Sequence, residues 1–360
     1  MSAARSRRPP RAPGGERAPR LARCAARAIL AGLWLGATAA HAQARVETPS
    51  IFRPASTPAF AIRELSWLVL GIAGAIFVLV AGVLVVSLVR FRDRGGGGAE
   101  PAQVYGSPRI ELAWTLVPFL IVVVLFLTTA RYIFALESAR PGAAALRVRV
   151  IGHQWWWEID YPDLGVVTAN ELHVPVSDPP GSVPTFLTLE SADVIHSFWV
   201  PQLAGKLDLI PNARNQLWID PQRPGTYVGQ CAEFCGVQHA GMLLRVIAHP
   251  KAEFAAWVDA QRAPAVAEPA VAAGRRAFES AACVSCHTVR GTAANGIFGP
   301  DLTHLMSRST LAAGVAPNER DRLRRWVEDP DAIKPGALMP AMRLSPEDLD
   351  RVVAYLATLR

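Results

Sequence analysis

Two long apolar runs constrain this chain more than any other feature. Ser66 to Val89 and Leu112 to about Ala130 each hold enough apolar residues to cross a bilayer core of roughly 30 Å as a helix. The first opens on Trp67, suited to the lipid–water boundary, and closes on Arg90, Arg92 and Arg94; the second is flanked by Arg109 and Arg131. Between them lie four glycines, Gly95 to Gly98, among clustered arginines, and this positive charge places the loop in the cytoplasm. The pair therefore reads as a transmembrane hairpin over about 66–89 and 112–130, with both outer ends on the exported side. Buried helices of a soluble protein would match the apolarity but not the charge asymmetry.

The first residues agree with export. Residues 1–42 have a basic start, an apolar stretch from Ala28 to Ala39 and a small-residue site at Ala40-His41-Ala42, the three parts of a cleaved secretory signal. Eight arginines in that segment against Glu16 alone account for the whole net charge of +7. The rest of the chain is then neutral, and nucleic acid is not an expected partner. Cleavage removes Cys24 and leaves four of the five cysteines, in two close pairs.

Behind the hairpin the pattern changes to short β-rich pieces: Arg147 to Ile151, Val183 to Leu189, Gln216 to Ile219, Thr226 to Gln230 and Met242 to Ile247, separated by Pro, Gly, Asn and Asp. Such spacing predicts an antiparallel sandwich or barrel over 146–262, closed by a helix from Lys251 to Arg262. Residues 263–272 read as a Pro-stiffened linker. The remainder, 273–360, is helical over Ala273–Ala282, Asn318–Glu328 and Pro346–Leu359, with Ser345 as N-cap of the last.

Within the β region, Cys231-Ala-Glu233-Phe-Cys235-Gly-Val-Gln-His239-Ala-Gly-Met242 gathers two thiols, an imidazole and a thioether in one loop. Soft sulfur with imidazole suits copper, and two thiolates can bridge two ions. Such a site needs another histidine, and His196, at the end of a β-like run in Asp193-Val-Ile-His196-Ser-Phe198, is the candidate. A disulfide would leave His196, His239 and Met242 unexplained, and zinc would leave Met242 unexplained. In the helical region, Cys283-Val-Ser-Cys286-His287 has the form that attaches haem c through two thioethers and a proximal imidazole. The sixth ligand lies among Met339, Met342, Met306 and His304. Met339 is favoured by its Pro-rich loop, Pro335-Gly-Ala-Leu-Met339-Pro340, just before the last helix.

Together these motifs resemble cytochrome c oxidase subunit II carrying the CuA site, over about Ser66 to Arg262, followed by a class-I cytochrome c domain. The resemblance implies a multidomain membrane protein: a two-helix transmembrane hairpin, a cupredoxin-like Greek-key β-barrel, then an all-α cytochrome domain. It implies a CuA pair bridged by Cys231 and Cys235 and completed by His196, His239, Met242 and the Glu233 carbonyl. The Glu233 side chain is expected to reach a magnesium ion shared with subunit I. In Gly152-His-Gln-Trp155-Trp-Trp157, Trp155 is expected to be where electrons enter. Glu111 is expected at the mouth of a proton channel, and Lys206, Asp208, Asn212 and Arg214 on the face toward subunit I. Ala192 stands where the family often has an acid, which weakens an acidic docking patch for a soluble cytochrome. The implied partners are subunits I and III and a donor that is a cytochrome or cytochrome bc complex. The implied place is a bacterial inner membrane, with the copper and cytochrome domains outside. A nitrous oxide reductase-like protein would need a large further domain, and a copper carrier would hold one ion.

Overall fold

Both apolar runs form helices, and both helices extend beyond the runs. The computed structural model describes residues 49–92, 103, 105–139, 141–142, 145–177, 183–265 and 269–360. The expected signal segment 1–42 and the glycine loop 95–98 lie outside them. Helix α1 is Thr57–Arg90 and α2 is Pro108–Glu137. At 34 residues α1 is about 50 Å long, more than a bilayer core. It starts nine residues before Ser66 because a distant carboxylate caps it. Asp220 accepts bonds from the Thr57 amide (2.6 Å) and from the Ser56 hydroxyl (2.6 Å), satisfying donors that a helix start leaves free. The most apolar stretches of both helices have no buried residues, which suits a lipid surround. Tyr132 of α2 donates to Glu64 of α1.

Ten strands follow: β1 Arg147–His153, β2 Trp156–Tyr161, β3 Val166–Ala169, β4 Glu171–Pro175, β5 Thr185–Ser191, β6 His196–Trp199, β7 Leu207–Leu209, β8 Asn215–Ile219, β9 Gly225–Cys231 and β10 Leu243–His249. They make two five-stranded sheets, in the orders β3-β2-β1-β5-β8 and β4-β10-β9-β6-β7. The expected all-antiparallel pattern needs correction at two places. β1 pairs parallel to β5 and β10 pairs parallel to β4, because the chain visits the other sheet or a distant edge before returning. Alternation sets the core: Val148 and Val150 of β1 are buried while Arg147 and Arg149 point outward. Trp157 meets Phe198 edge-on at 6.0 Å between the sheets. The architecture is the cupredoxin-like β domain that the resemblance implied.

After the sheets come α3 (Lys251–Arg262), α4 (Ala272–Ser280), α5 (Cys283–Cys286), α6 (Arg320–Glu328) and α7 (Pro346–Leu356). Phe278, Leu323, Val352 and Tyr355 form a second core. Ser345 caps α7 by accepting the Asp348 amide at 3.1 Å, with Pro346 in the first turn. A two-strand ribbon, Thr310–Leu311 with Ala316–Pro317, was not legible in the sequence.

Candidate copper centre and haem cleft

The first site stands where β9, β6 and the loop before β10 converge. β9 delivers Cys231 and a short helical turn, His239–Gly241, leads to Met242, the residue just before β10. His196 opens β6 rather than ending a strand, and it is fully buried. The two thiols are free, with sulfurs 3.8 Å apart, far beyond a disulfide bond. Cys231 Sγ is 4.0 Å from His196 Nδ1 and 3.1 Å from the Glu233 carbonyl. Cys235 Sγ is 3.7 Å from His239 Nδ1 and 3.9 Å from Met242 Sδ. The six expected donors are thus one cluster, and among the described residues His196, Cys231 and Cys235 form the acid-, His- or Cys-based group able to hold a metal. Two thiols, two imidazoles, a thioether and a carbonyl form a soft set that fits copper.

Hydrogen bonds aim these donors. His196 Nε2 donates to Asp193 at 2.8 Å, which turns Nδ1 toward Cys231. Burial disfavours a charge on His196, but its bonds to Asp193 and Cys231 outweigh that and raise its pKa. The thiols titrate as a pair: a bond from Cys235 holds Cys231 well below the usual thiol range, and the same bond pushes Cys235 up. Strand β1 can lie against the His196 ring only at Gly152, where a Cβ would sit 2.7 Å from Cδ2. Trp155 is buried and donates through Nε1 to the Cys235 carbonyl at 2.9 Å, and Gln154 donates there through its side-chain Nε2 at 2.8 Å.

The second site is a cleft of about 460 Å³ lined by Cys283, Cys286, His287, Leu302, Met339 and Met342. Cys283 and Cys286 sit one turn apart on α5. His287 Nδ1 donates to the Pro300 carbonyl at 2.8 Å, leaving Nε2 free for a metal, and burial lowers its pKa so that it is neutral. The largely apolar walls also hold the buried guanidinium of Arg308, a partner for a carboxylate on the bound group. Size, donors and the Arg308 cation fit a haem. His304 is not free, since both ring nitrogens are tied to the Arg360 and Ala263 carbonyls. Met306 packs on the second core and is absent from the lining. Met339 and Met342 both remain in the wall.

Gln154, Trp155 and Trp156 of the β domain line the same cleft. Trp155 therefore touches the haem cleft on one side and is bonded to Cys235 on the other. Other expected residues lie apart. Glu111 is exposed in the first turn of α2, and the Glu233 side chain is exposed. Lys206, Asp208, Asn212 and Arg214 lie around β7 and the turn after it, with Arg214 paired to Glu190 at 3.1 Å. Sequence reading passed over Arg308 and Lys334 altogether. The one available signal for Lys334 was its place in the Pro-rich loop before Met339.

A chain with an apolar helical hairpin, a cupredoxin-like domain holding a soft-donor cluster and a Cys-x2-Cys-His cleft is a membrane-anchored redox protein. Three family models match it: cytochrome c oxidase subunit II, transmembrane domain, over 46–131; the periplasmic domain of the same subunit over 179–248; and cytochrome c over 271–360. Cytochrome c oxidase subunit 2 of Alkalihalophilus pseudofirmus is 34% identical over 291 residues, 79% of this chain and 82% of the relative. That of Bacillus subtilis is 33% identical over 296 residues, covering 76% and 81%. The periplasmic domain of subunit II of cytochrome oxidase of Bradyrhizobium japonicum aligns at 30% identity and TM-score 0.32, covering 34% of this chain and 97% of that one. The chain belongs to the cytochrome c oxidase subunit II family, an oxidoreductase family, and carries a cytochrome c domain at its C-terminal end.

Proposed function

We propose that this chain is the electron-accepting subunit of a haem–copper oxidase, with two resident redox groups held side by side. Cys231, Cys235, His196, His239, Met242 and the Glu233 carbonyl would hold a copper pair, the two thiolates being its softest donors. Cys283 and Cys286 would attach haem c covalently, and His287 and Met339 would be its protein ligands to iron. When bound, these groups would supply one-electron exchange between an outside donor and the oxygen-reducing site of subunit I. The chain's own residues do the positioning. Asp193 fixes the tautomer of His196, the Pro300 carbonyl fixes that of His287, and the His196 ring is shielded from water. Trp155, where electrons enter the copper domain, is held to Cys235 by its indole N–H.

The same reading assigns the outlying residues. Glu111 stands at the cytoplasmic mouth of the second span, where proton uptake coupled to translocation begins. The Glu233 carboxylate reaches magnesium shared with subunit I, and Lys206, Asp208, Asn212 and Arg214 face that subunit. Subunit III and a donor cytochrome or cytochrome bc complex complete the assembly in a bacterial inner membrane. Residues 1–42 act as the export signal; 146–262 and 273–360 are the two outer domains, joined by 263–272.

The observation that carries this reading is the Cys231–Cys235 pair, free of a disulfide with sulfurs 3.8 Å apart, with His239 and His196 beside it, at 3.7 and 4.0 Å. The test is to purify the tagged full chain from its membrane. It should carry a copper pair and covalent haem, and bring with it a multi-haem, oxygen-consuming complex. A single exchangeable copper without oxygen consumption would overturn the reading in favour of a carrier.

A further inference from the structure

Lys334 is a lysine of the cytochrome region with 4% of its surface exposed. Its ammonium donates to three backbone carbonyls: Trp155 at 2.7 Å, Gly241 at 2.9 Å and Ala312 at 3.1 Å. Three N–H donors thus meet three acceptors, which is the full inventory of the group. Two of those carbonyls belong to the β domain. Gly241 directly precedes Met242, and Trp155 is the indole bonded to Cys235. Burial pulls the Lys334 pKa down to about 7, so this contact replaces hydration that the side chain has lost.

The residues around Lys334 close on the same loop. Gln238 donates to the Pro335 carbonyl at 2.7 Å, and a Cβ at Gly336 would lie 3.0 Å from the Val237 side chain. The Leu243 amide donates to the Ala313 carbonyl at 3.0 Å. At the other side of the cleft, Glu171 Oε1 accepts the Ser309 and Thr310 amides at 2.8 and 3.1 Å. Glu171 lies on β4 and pairs with Arg245 of β10, whereas Lys334 bridges the copper loop itself and the Trp155 wall of the haem cleft.

We propose that Lys334 is a positioning residue that locks the cytochrome domain onto the copper loop and so sets the separation of the two redox groups, an inference that rests on the copper and haem assignments above. An ammonium answers three carbonyls at once, so the pin is lost as a unit when the charge is removed. A methionine in its place has similar reach but leaves the Trp155 and Gly241 carbonyls unanswered.

The test uses the complete oxidase with both groups oxidised and measures the dipolar distance distribution between the copper pair and the ferric haem by pulsed electron paramagnetic resonance. The unmodified oxidase should give one narrow distribution. Lys334→Met should broaden it toward longer distances and slow electron transfer from photoreduced haem to copper by about tenfold or more. The copper hyperfine pattern and haem spectrum should persist, which a general loss of fold would not permit. Gln238→Ala should broaden it less, in the same direction. A broad distribution in the unmodified oxidase overturns the pin without any variant, as does a Lys334→Met distribution and rate equal to the parent's. If the unmodified oxidase lacks either spectroscopic signal, the site assignments fail instead.

Discussion

The copper loop and the haem cleft solve the same problem, holding a redox group out of water, by opposite means. At the copper loop the protein's own side chains fill the space. Cys231, Cys235, Met242 and His196 are buried together, and each has a bonding partner or close neighbour already in place. At the cleft the protein builds only walls around about 460 Å³ and leaves the centre to the prosthetic group. A preassembled cluster should tolerate loss of its metal; a hollow core should not tolerate loss of its filling.

The largest effect therefore concerns haem. An unfilled cleft of about 460 Å³ leaves its largely apolar walls against water in place of a packed group, and the second core loses that support. The chain with Cys283→Ala and Cys286→Ala, produced without haem, should show rapid proteolysis after residue 272, while the β domain stays resistant. Chelating copper from the haem-loaded chain should leave both domains resistant. Equal protease sensitivity after either treatment would break the contrast.

Two glycines sharpen it. Gly152→Ala puts a Cβ 2.7 Å from His196, and Gly299→Ala puts one 2.5 Å from the His287 ring. Each should cost about 1–3 kcal/mol through overpacking. In the crowded copper loop the strain should change the copper hyperfine pattern. Beside the cleft, His287 should shift within its hollow, so the haem stays bound with an altered low-spin spectrum. Thermal unfolding and the two spectra check both outcomes.

The smallest effect is a pH slope in the β domain that carries the copper loop. His173 bonds to His249 at 2.8 Å and stacks on Trp257; burial, then His249 and Arg308, push its pKa from 6.5 down to about 3. Burial lowers the pKa of His249 as well, and Glu253 beside it offsets only part of that. The unfolded state then binds the extra proton first, so the stability is present above pH 6.5 and is lost as pH falls toward 3. The slope is at most about 1.4 kcal/mol per pH unit. Between pH 7 and 5 the unfolding midpoint of His173→Phe should fall less than the parent's; parallel curves would remove His173 from the account.

Local signals carried most of what the sequence revealed. Periodicity and caps located the helix Lys251–Arg262 and the start of the last helix at Pro346. The dense motif spacing picked out donors that the fold does bring together. What escaped depends on partners far along the chain. The start of α1 at Thr57 is set by Asp220, and the parallel pairing of β1 with β5 by the path between them. Lys334 meets Trp155 across 179 positions, and no local pattern marks a lysine as buried when its acceptors are backbone carbonyls. The choice between Met339 and Met342 stays a matter of position, because both line the cleft.

The central claim is that Cys231 and Cys235 share a copper pair beside a haem in one chain. Electron paramagnetic resonance of the purified oxidase, parent and Cys231→Ser, tests it most directly. The parent should show the hyperfine pattern of one unpaired electron spread over two copper nuclei. Serine cannot bridge as a soft thiolate, so Cys231→Ser should lose that pattern while haem on Cys283 and Cys286 remains. A two-copper pattern surviving in Cys231→Ser, or a single-copper pattern in the parent, would contradict the account.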